Sequence, residues 1–340
     1  MLAVLDNIST IQNGCINITN YPAPIAQSGG SIVIGTQITG DIASINIGEN
    51  SVCIGNGAGL SNNSSNTVAI GYLSGNSNKE KNSVSIGVNA SAPKQGENSI
   101  CIGNKSGQSG GQEAECITLG TFSAMSQKLK AITLGSYNIS AENSVSLGMQ
   151  GSNSICIGAK CFDGGPQLDD AICIGTISSG NGQETGSIAL GSWSGDGGIA
   201  NENSITLGTF KTYKRYTGSN SISMGSYNDT PRNDNVITIG NRTIHGDGSD
   251  PDANSPIYDC ISIGHDINLN YKQNISNILV LNPYGDDTGV LGAFTPELTD
   301  SGGLFINCEI GTSNIGLPSS SNNVAFYNPY TYEIFLSEDN

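Results

Sequence analysis

Along most of the chain, apolar and small polar positions alternate in five-residue bursts. Each reads small residue, Val or Ile, small residue, Ile or Leu (once Met), Gly. The bursts end at glycines 35, 48, 55, 71, 87, 103, 120, 135, 148, 158, 175, 191, 208, 225, 240 and 264, sixteen copies in all. Ser83-Val-Ser-Ile-Gly87 and Ser204-Ile-Thr-Leu-Gly208 are clear examples. Alternation with period two puts the second and fourth side chains on one face of a strand, and the glycine then allows positive φ and a corner. Most glycine-to-glycine steps are 15 to 17 residues, room for a strand, a corner, a second short strand and a return loop.

This repetition predicts an all-β fold, a parallel β-roll or β-solenoid of about sixteen short rungs. Rungs stacked about 4.8 Å apart would give a rod about 75 Å long. The short steps from 48 to 55 and from 148 to 158 are expected to be trimmed rungs or corners. The 24-residue step to Gly264 carries an inserted loop over 247–256. Three segments follow: a lead-in or cap over 1–30, the repeat domain over 31–266, and a β-rich tail over 267–340 that forms a small C-terminal cap.

Each rung offers about two large aliphatic side chains, roughly 3 to 6 kcal/mol of burial, against about 1 to 2 kcal/mol of backbone entropy per residue. A core that thin points to several chains sharing it. The middle position of the motif is small in fourteen of the sixteen copies: Cys53, Ala69, Ser85, Cys101, Thr118, Thr133, Ser146, Cys156, Cys173, Ala189, Thr206, Ser223, Thr238 and Ser262. The expectation is a smooth column along which chains approach closely.

Composition sharpens this picture by exclusion. Gly 46, 12% charged residues and 6% aromatics describe a turn-rich chain and not an ordinary enzyme core. A formal charge of -16 repels phosphate backbones, so no nucleic-acid partner is expected. No apolar run reaches the length of a bilayer span, and Met1-Leu-Ala-Val-Leu-Asp lacks a basic region and a sustained apolar one, so membrane insertion is not expected and synthesis in the cytosol is. Nine cysteines at irregular spacing predict reduced thiols. Cys156 and Cys173, in consecutive rungs, would near bridging distance if stacked.

Catalytic chemistry finds no foothold. His245 and His265 stand in no zinc-binding spacing, and no phosphate-cradling glycine motif is present. Asp247, Asp250 and Asp252, and Asp286 with Asp287, offer carboxylate oxygens for calcium but match neither the EF-hand nor the glycine-aspartate nonapeptide repeat. No catalytic, cofactor or metal residue is therefore assigned, and the protein is expected not to be an enzyme. A β-helical polysaccharide-degrading enzyme, the rival from that class, would need clustered carboxylates and basic residues in a groove.

Recognition, if written anywhere, belongs past the corners. Two residues after the glycine stand Leu73, Phe122, Tyr137, Ile177, Trp193, Phe210 and Tyr227. Inter-rung or inter-chain packing is the favoured role for them, and contact with a glycan or receptor the alternative. Lys211-Thr-Tyr-Lys-Arg-Tyr216 is the one basic-aromatic island. The candidate recognition residues are thus Trp193, Phe210, Lys211, Tyr213, Lys214, Arg215 and Tyr216.

Runs such as Asn66-Thr-Val-Ala-Ile-Gly-Tyr-Leu-Ser-Gly75 and Asn82-Ser-Val-Ser-Ile-Gly-Val-Asn-Ala-Ser91 resemble the head repeats of trimeric autotransporter adhesins, over about residues 31–266. That resemblance implies a left-handed parallel β-roll that trimerises. The tail, with Val324-Ala-Phe-Tyr-Asn-Pro-Tyr-Thr-Tyr-Glu-Ile334, resembles the endings of fibre-like proteins of large DNA viruses and phages. Together they imply a virion fibre, spike or capsid-associated protein, made in the host cytoplasm and carried on the virion surface. Its partners would be itself, other capsid proteins and a host cell-surface glycan or receptor for attachment. A capsid cement protein and a bacterial adhesin are the alternatives.

Overall fold

Each described motif copy folds as a short strand, because its β-branched second residue and aliphatic fourth residue favour extended backbone, and in most rungs of the first unit the glycine ends it. In the computed structural model the described residues are 14–19, 25–35, 45–59, 64–76, 78–91, 94–107, 110–123, 126–136, 149–161, 165–178, 182–194, 200–209, 218–226, 228, 234–241, 244–245, 257–265, 267–269, 275–282, 303–306, 324–328 and 333–337. No helix occurs among them. The chain divides into two compact units, Met1–Lys214 and Arg215–Asn340.

In the first unit the strands form one parallel ladder in strict sequence order, from Ile16–Thr19 through Ile32–Gly35, Val52–Ile54, Val68–Ile70, Val84–Ile86, Ile100–Ile102, Ile117–Leu119, Ile132–Leu134, Ile155–Ile157, Ile172–Ile174 and Ile188–Leu190 to Ile205–Leu207. Register is motif position on motif position: Val84 pairs with Ile100, Ser85 with Cys101 and Ile86 with Ile102. The solenoid expected from the repeat is what forms.

A second, thinner ladder runs along the other side of each coil. Gly111–Gln112, Ser126–Gln127 and Met149–Gln150 pair in parallel. Single bridges extend the ladder from Lys79 to Gln95 and Gln112, and from Gln150 through Gln167 and Gln183 to Ala200. The copy ending at Gly48 belongs on this side: its strand Ile45–Ile47 pairs with Ile25–Gln27 and not with a main-ladder strand. The step from 48 to 55 is thus a corner between two sides of one coil. Residues 137–148, with the copy ending at Gly148, lie outside the described residues.

The second unit repeats the arrangement with longer strands. Ile222–Ser226, Ile237–Asn241, Ile257–His265, Ile275–Asn282 and Gly303–Ile306 form a parallel ladder. Val324–Asn328 and Glu333–Ser337 make an antiparallel hairpin.

Two backbone columns explain the motif's flanks. The residue two before the second position takes positive φ in every described motif rung, between +51° and +76°, and Asn50, Asn66, Asn82, Asn98, Asn153, Asn203, Asn220 and Asn235 supply it most often, with Asp170 and Asp259. Asn and Asp tolerate this left-handed conformation best after glycine. Their side chains also stack, Asn66 Nδ2 donating to Asn82 Oδ1 and Asn82 Nδ2 to Asn98 Oδ1, each at 3.0 Å. At the other end of the strand Gly103 has φ +136°, and a Cβ there would land on the carbonyl oxygen of Gly120 in the next rung. Both the dihedral and the close stacking demand glycine.

Candidate functional site: an aliphatic face outside a polar core

The motif's middle residue points into the coil. From Val33 through Cys53, Ala69, Ser85, Cys101, Thr118, Thr133, Cys156, Cys173 and Ala189 to Thr206, exposure never exceeds 5%. This corrects the expectation of a smooth outer column along which chains approach. The small side chains are inside because the space between the two ladders must also hold a second column of large residues.

That second column is glutamine, and sequence reading missed it. Gln95, Gln112, Gln127, Gln150, Gln167 and Gln183 are each at most 1% exposed. They form a side-chain ladder in two runs. Gln112 Nε2 donates to Gln127 Oε1 and Gln127 Nε2 to Gln150 Oε1, both at 2.8 Å; Gln167 Nε2 donates to Gln183 Oε1 at 2.9 Å. The amides also tie the two sides of a coil together: Gln95 Nε2 donates to the Val84 carbonyl at 2.8 Å, and Gln183 Nε2 to that of Ile172 at 2.9 Å. Hydroxyls of the middle column complete the set, Ser85 Oγ donating to Gln95 Oε1 and Thr133 Oγ1 to Gln150 Oε1, each at 2.6 Å. The signal was present. Every one of these glutamines stands five residues before the motif's second position.

The ladder falters after two of the middle cysteines, though not after Cys173, where Gln183 Oε1 accepts from Gln167. Gln112 Oε1 and Gln167 Oε1 are buried without a hydrogen-bond partner. The preceding middle residues are Cys101 and Cys156, where Ser or Thr would donate. Cys101 Sγ lies instead 2.9 Å from the Ser106 carbonyl oxygen. Burial pushes the Cys101 thiol up to about 11.

Lys79 takes the glutamine slot at one end of the run, 1% exposed, with Nζ donating to the Val68 carbonyl oxygen at 2.6 Å. Desolvation lowers its ammonium to about 8. Its charge is confined to the interior. On the surface, Lys81 pairs with Glu97 at 3.1 Å beside a groove of about 460 Å³ lined by Ser64, Ser65, Asn66, Glu80, Lys81 and Glu97. Among the described residues no group of three or more His, Cys, Asp or Glu is arranged to hold a metal ion.

With the interior filled by small and amide side chains, the large aliphatics point outward. One column runs Ile32, Val52, Val68, Val84, Ile100, Ile117, Ile132, Ile155, Ile172, Ile188 and Ile205; a second runs in parallel from Ile34 to Leu207. Stacking on the rungs above and below half-buries them, yet Ile34, Ile102, Leu119 and Ile174 are still 36% to 38% exposed. Contiguous apolar stripes of this kind are rare on the surfaces of soluble monomers.

Of the recognition candidates, Trp193 is described: it sits at the corner with φ +62° and is 39% exposed. Leu73, Phe122 and Ile177 share its corner column and its left-handed backbone, and each bonds back to the preceding rung, as Phe122 N does to the Asn104 carbonyl at 3.0 Å. Lys105 Nζ lies 5.0 Å from the centre of the Phe122 ring, so inter-rung stacking accounts for that aromatic. Phe210, Lys211, Tyr213, Lys214, Arg215 and Tyr216 lie outside the described residues. No protein-family model, curated protein or solved structure matches the chain.

Proposed function

We propose that this protein is a non-enzymatic structural fibre or spike protein that works as a homotrimer, with the aliphatic faces of three chains meeting along their ladders. One observation carries the reading: each rung fills its own interior with polar and small side chains and leaves two large aliphatics outside. A second copy of the same ladder presents the same spacing and the same apolar columns, which makes self-association the natural way to cover them. The tail's resemblance to viral fibre endings supports placement on a virion, alongside capsid proteins. Host-cell attachment is the further role that exposed corner residues such as Trp193 would serve.

Mass in solution tests the trimer directly. The expected species has three times the 35.0 kDa chain mass. The double variant Ile102→Asp with Ile174→Asp, which puts carboxylates on the apolar stripe, is expected to sediment as a folded monomer. A wild-type monomer, or a double variant that stays trimeric, would sink the proposal. Glycan-array binding by the wild type, lost in Trp193→Ala with Tyr216→Ala, is expected for attachment; no binding by wild type leaves a capsid cement role.

A further inference from the structure

The corner slot three residues past each motif glycine is small and buried, held by Ala58, Ser74, Ala90, Ser106, Ser123, Ser178 and Ser194 in seven of the described rungs. It faces the middle slot of the same rung. In one rung those two slots hold Cys173 and Ser178, whose Sγ and Oγ are 2.8 Å apart. In the preceding rung both slots are cysteine, Cys156 in the strand and Cys161 at the corner, the one motif copy in the sequence with a thiol at both positions. Cys156, Cys161 and Cys173 pack as a single buried cluster, with Cys173 stacked in register on Cys156.

We propose that Cys156 and Cys161 are an oxidation site, closing a disulfide within their rung on exposure to a hydroperoxide. The reasoning is positional: the Cys173 and Ser178 pair shows that these two slots bring side-chain heteroatoms together, and here both heteroatoms are sulfur. Cys161 is the thiol that reacts first. Hydrogen bonds from Cys156 and then Cys173 hold its thiol well below the usual range, whereas burial pushes those of Cys156 and Cys173 well above it. The thiolate is the nucleophile.

The chemistry balances in two steps. The Cys161 thiol gives up its proton, its sulfur takes one oxygen of hydrogen peroxide, and hydroxide leaves with the O–O bonding pair and becomes water with that proton. The resulting sulfenic acid is attacked by Cys156 sulfur, whose proton departs with the sulfenic hydroxyl as a second water. Two thiols are oxidised and one peroxide is reduced. The product pins the corner to the strand inside the coil.

Reduced full-length protein treated with hydrogen peroxide, then denatured for thiol titration and peptide mass mapping, decides the matter. The expected result is the loss of two of the nine thiols, found as a linkage between Cys156 and Cys161. Cys161→Ser, which places at this corner the residue that Ser178 supplies in the next rung, is expected to lose none at the same dose. Cys173→Ala, which repeats Ala189, is expected still to lose two. Circular dichroism matching that of the wild type shows that both variants are folded. An unchanged thiol count in the wild type, a linkage from Cys161 to Cys173, or a two-thiol loss that survives in Cys161→Ser would overturn the proposal.

Discussion

The two faces of a single three-residue strand obey opposite rules. Inward, Thr118 sits between glutamines in a fully buried, hydrogen-bonded interior; outward, its neighbours Ile117 and Leu119 lie on a stripe left partly open to water. Ordinary half-buried strands do the reverse, apolar in and polar out. The inversion follows from coil width. Two ladders joined by tight corners leave room for one small side chain from the strand and one extended amide from the other side, and buried amides are tolerated only when paired. What the chain completes alone is therefore its polar interior, and what it leaves partly uncovered is its apolar exterior.

That contrast breaks most severely at the centre of the longer glutamine run. Gln127 accepts from Gln112 and Thr118 and donates to Gln150 and Thr133. Gln127→Leu leaves several of those groups buried and unpaired, at about 1 to 3 kcal/mol each, so a loss of about 3 to 5 kcal/mol is expected. Because these bonds lie within one chain, the loss should be the same at every protein concentration in denaturant titrations. Substitutions on the aliphatic stripe should instead change the concentration dependence of stability, the mark of an interface. A Gln127→Leu penalty that vanishes on dilution would place the decisive packing between chains.

Lys79 is the interior position that violates the rule, and pH exposes the cost. Its ammonium is held at about 8, below the ordinary value of 10.5. Between those two values the unfolded chain binds the proton and the folded chain does not, so stability rises with pH across that window. Above it both states are neutral and the penalty is gone; below about 8 the full penalty persists, about 3 kcal/mol for a shift of this size. Lys79→Gln, which extends the neighbouring glutamine column, should stabilise the protein by up to that amount at pH 7 and flatten the rise. Thermal melts at pH 7 and pH 10 on both proteins check it, and an unchanged slope in the variant would assign the pH dependence elsewhere.

The rung, its two-sided coil and its glycine corners were legible because they rest on local chemistry repeated at fixed spacing: aliphatic residues two apart, then a residue free to take positive φ. Which face of the strand turns inward was not legible. Alternation names two faces but not the one that is buried, and large aliphatics suggested the wrong side. Counting the five residues from Gln95 to Ile100, and the same interval in the next rungs, would have identified the amide column and with it the interior. The island from Lys211 to Tyr216 offered no such interval: it occurs once in the sequence, so no repeat constrains its reading.

The finest test of the inverted strand lies in the cysteine slots. Ser85 donates to Gln95 Oε1 at 2.6 Å, while one rung on Cys101 makes no such bond and Gln112 Oε1 is left unpaired. Sulfur is a weak donor, and here its hydrogen is directed to the Ser106 carbonyl oxygen at 2.9 Å. Cys101→Ser supplies a stronger donor in a slot already shaped for serine, at the loss of that weak contact and a little buried sulfur surface. The net expectation is a gain of about 1 kcal/mol in denaturant titrations, since satisfying a buried acceptor recovers most of its desolvation cost. The same change at Cys53 is the control, because Gln112 is not its neighbour, and it should bring no gain. Equal effects at both positions would mean that the middle column responds to side-chain size alone, and that the interior is packed without being wired.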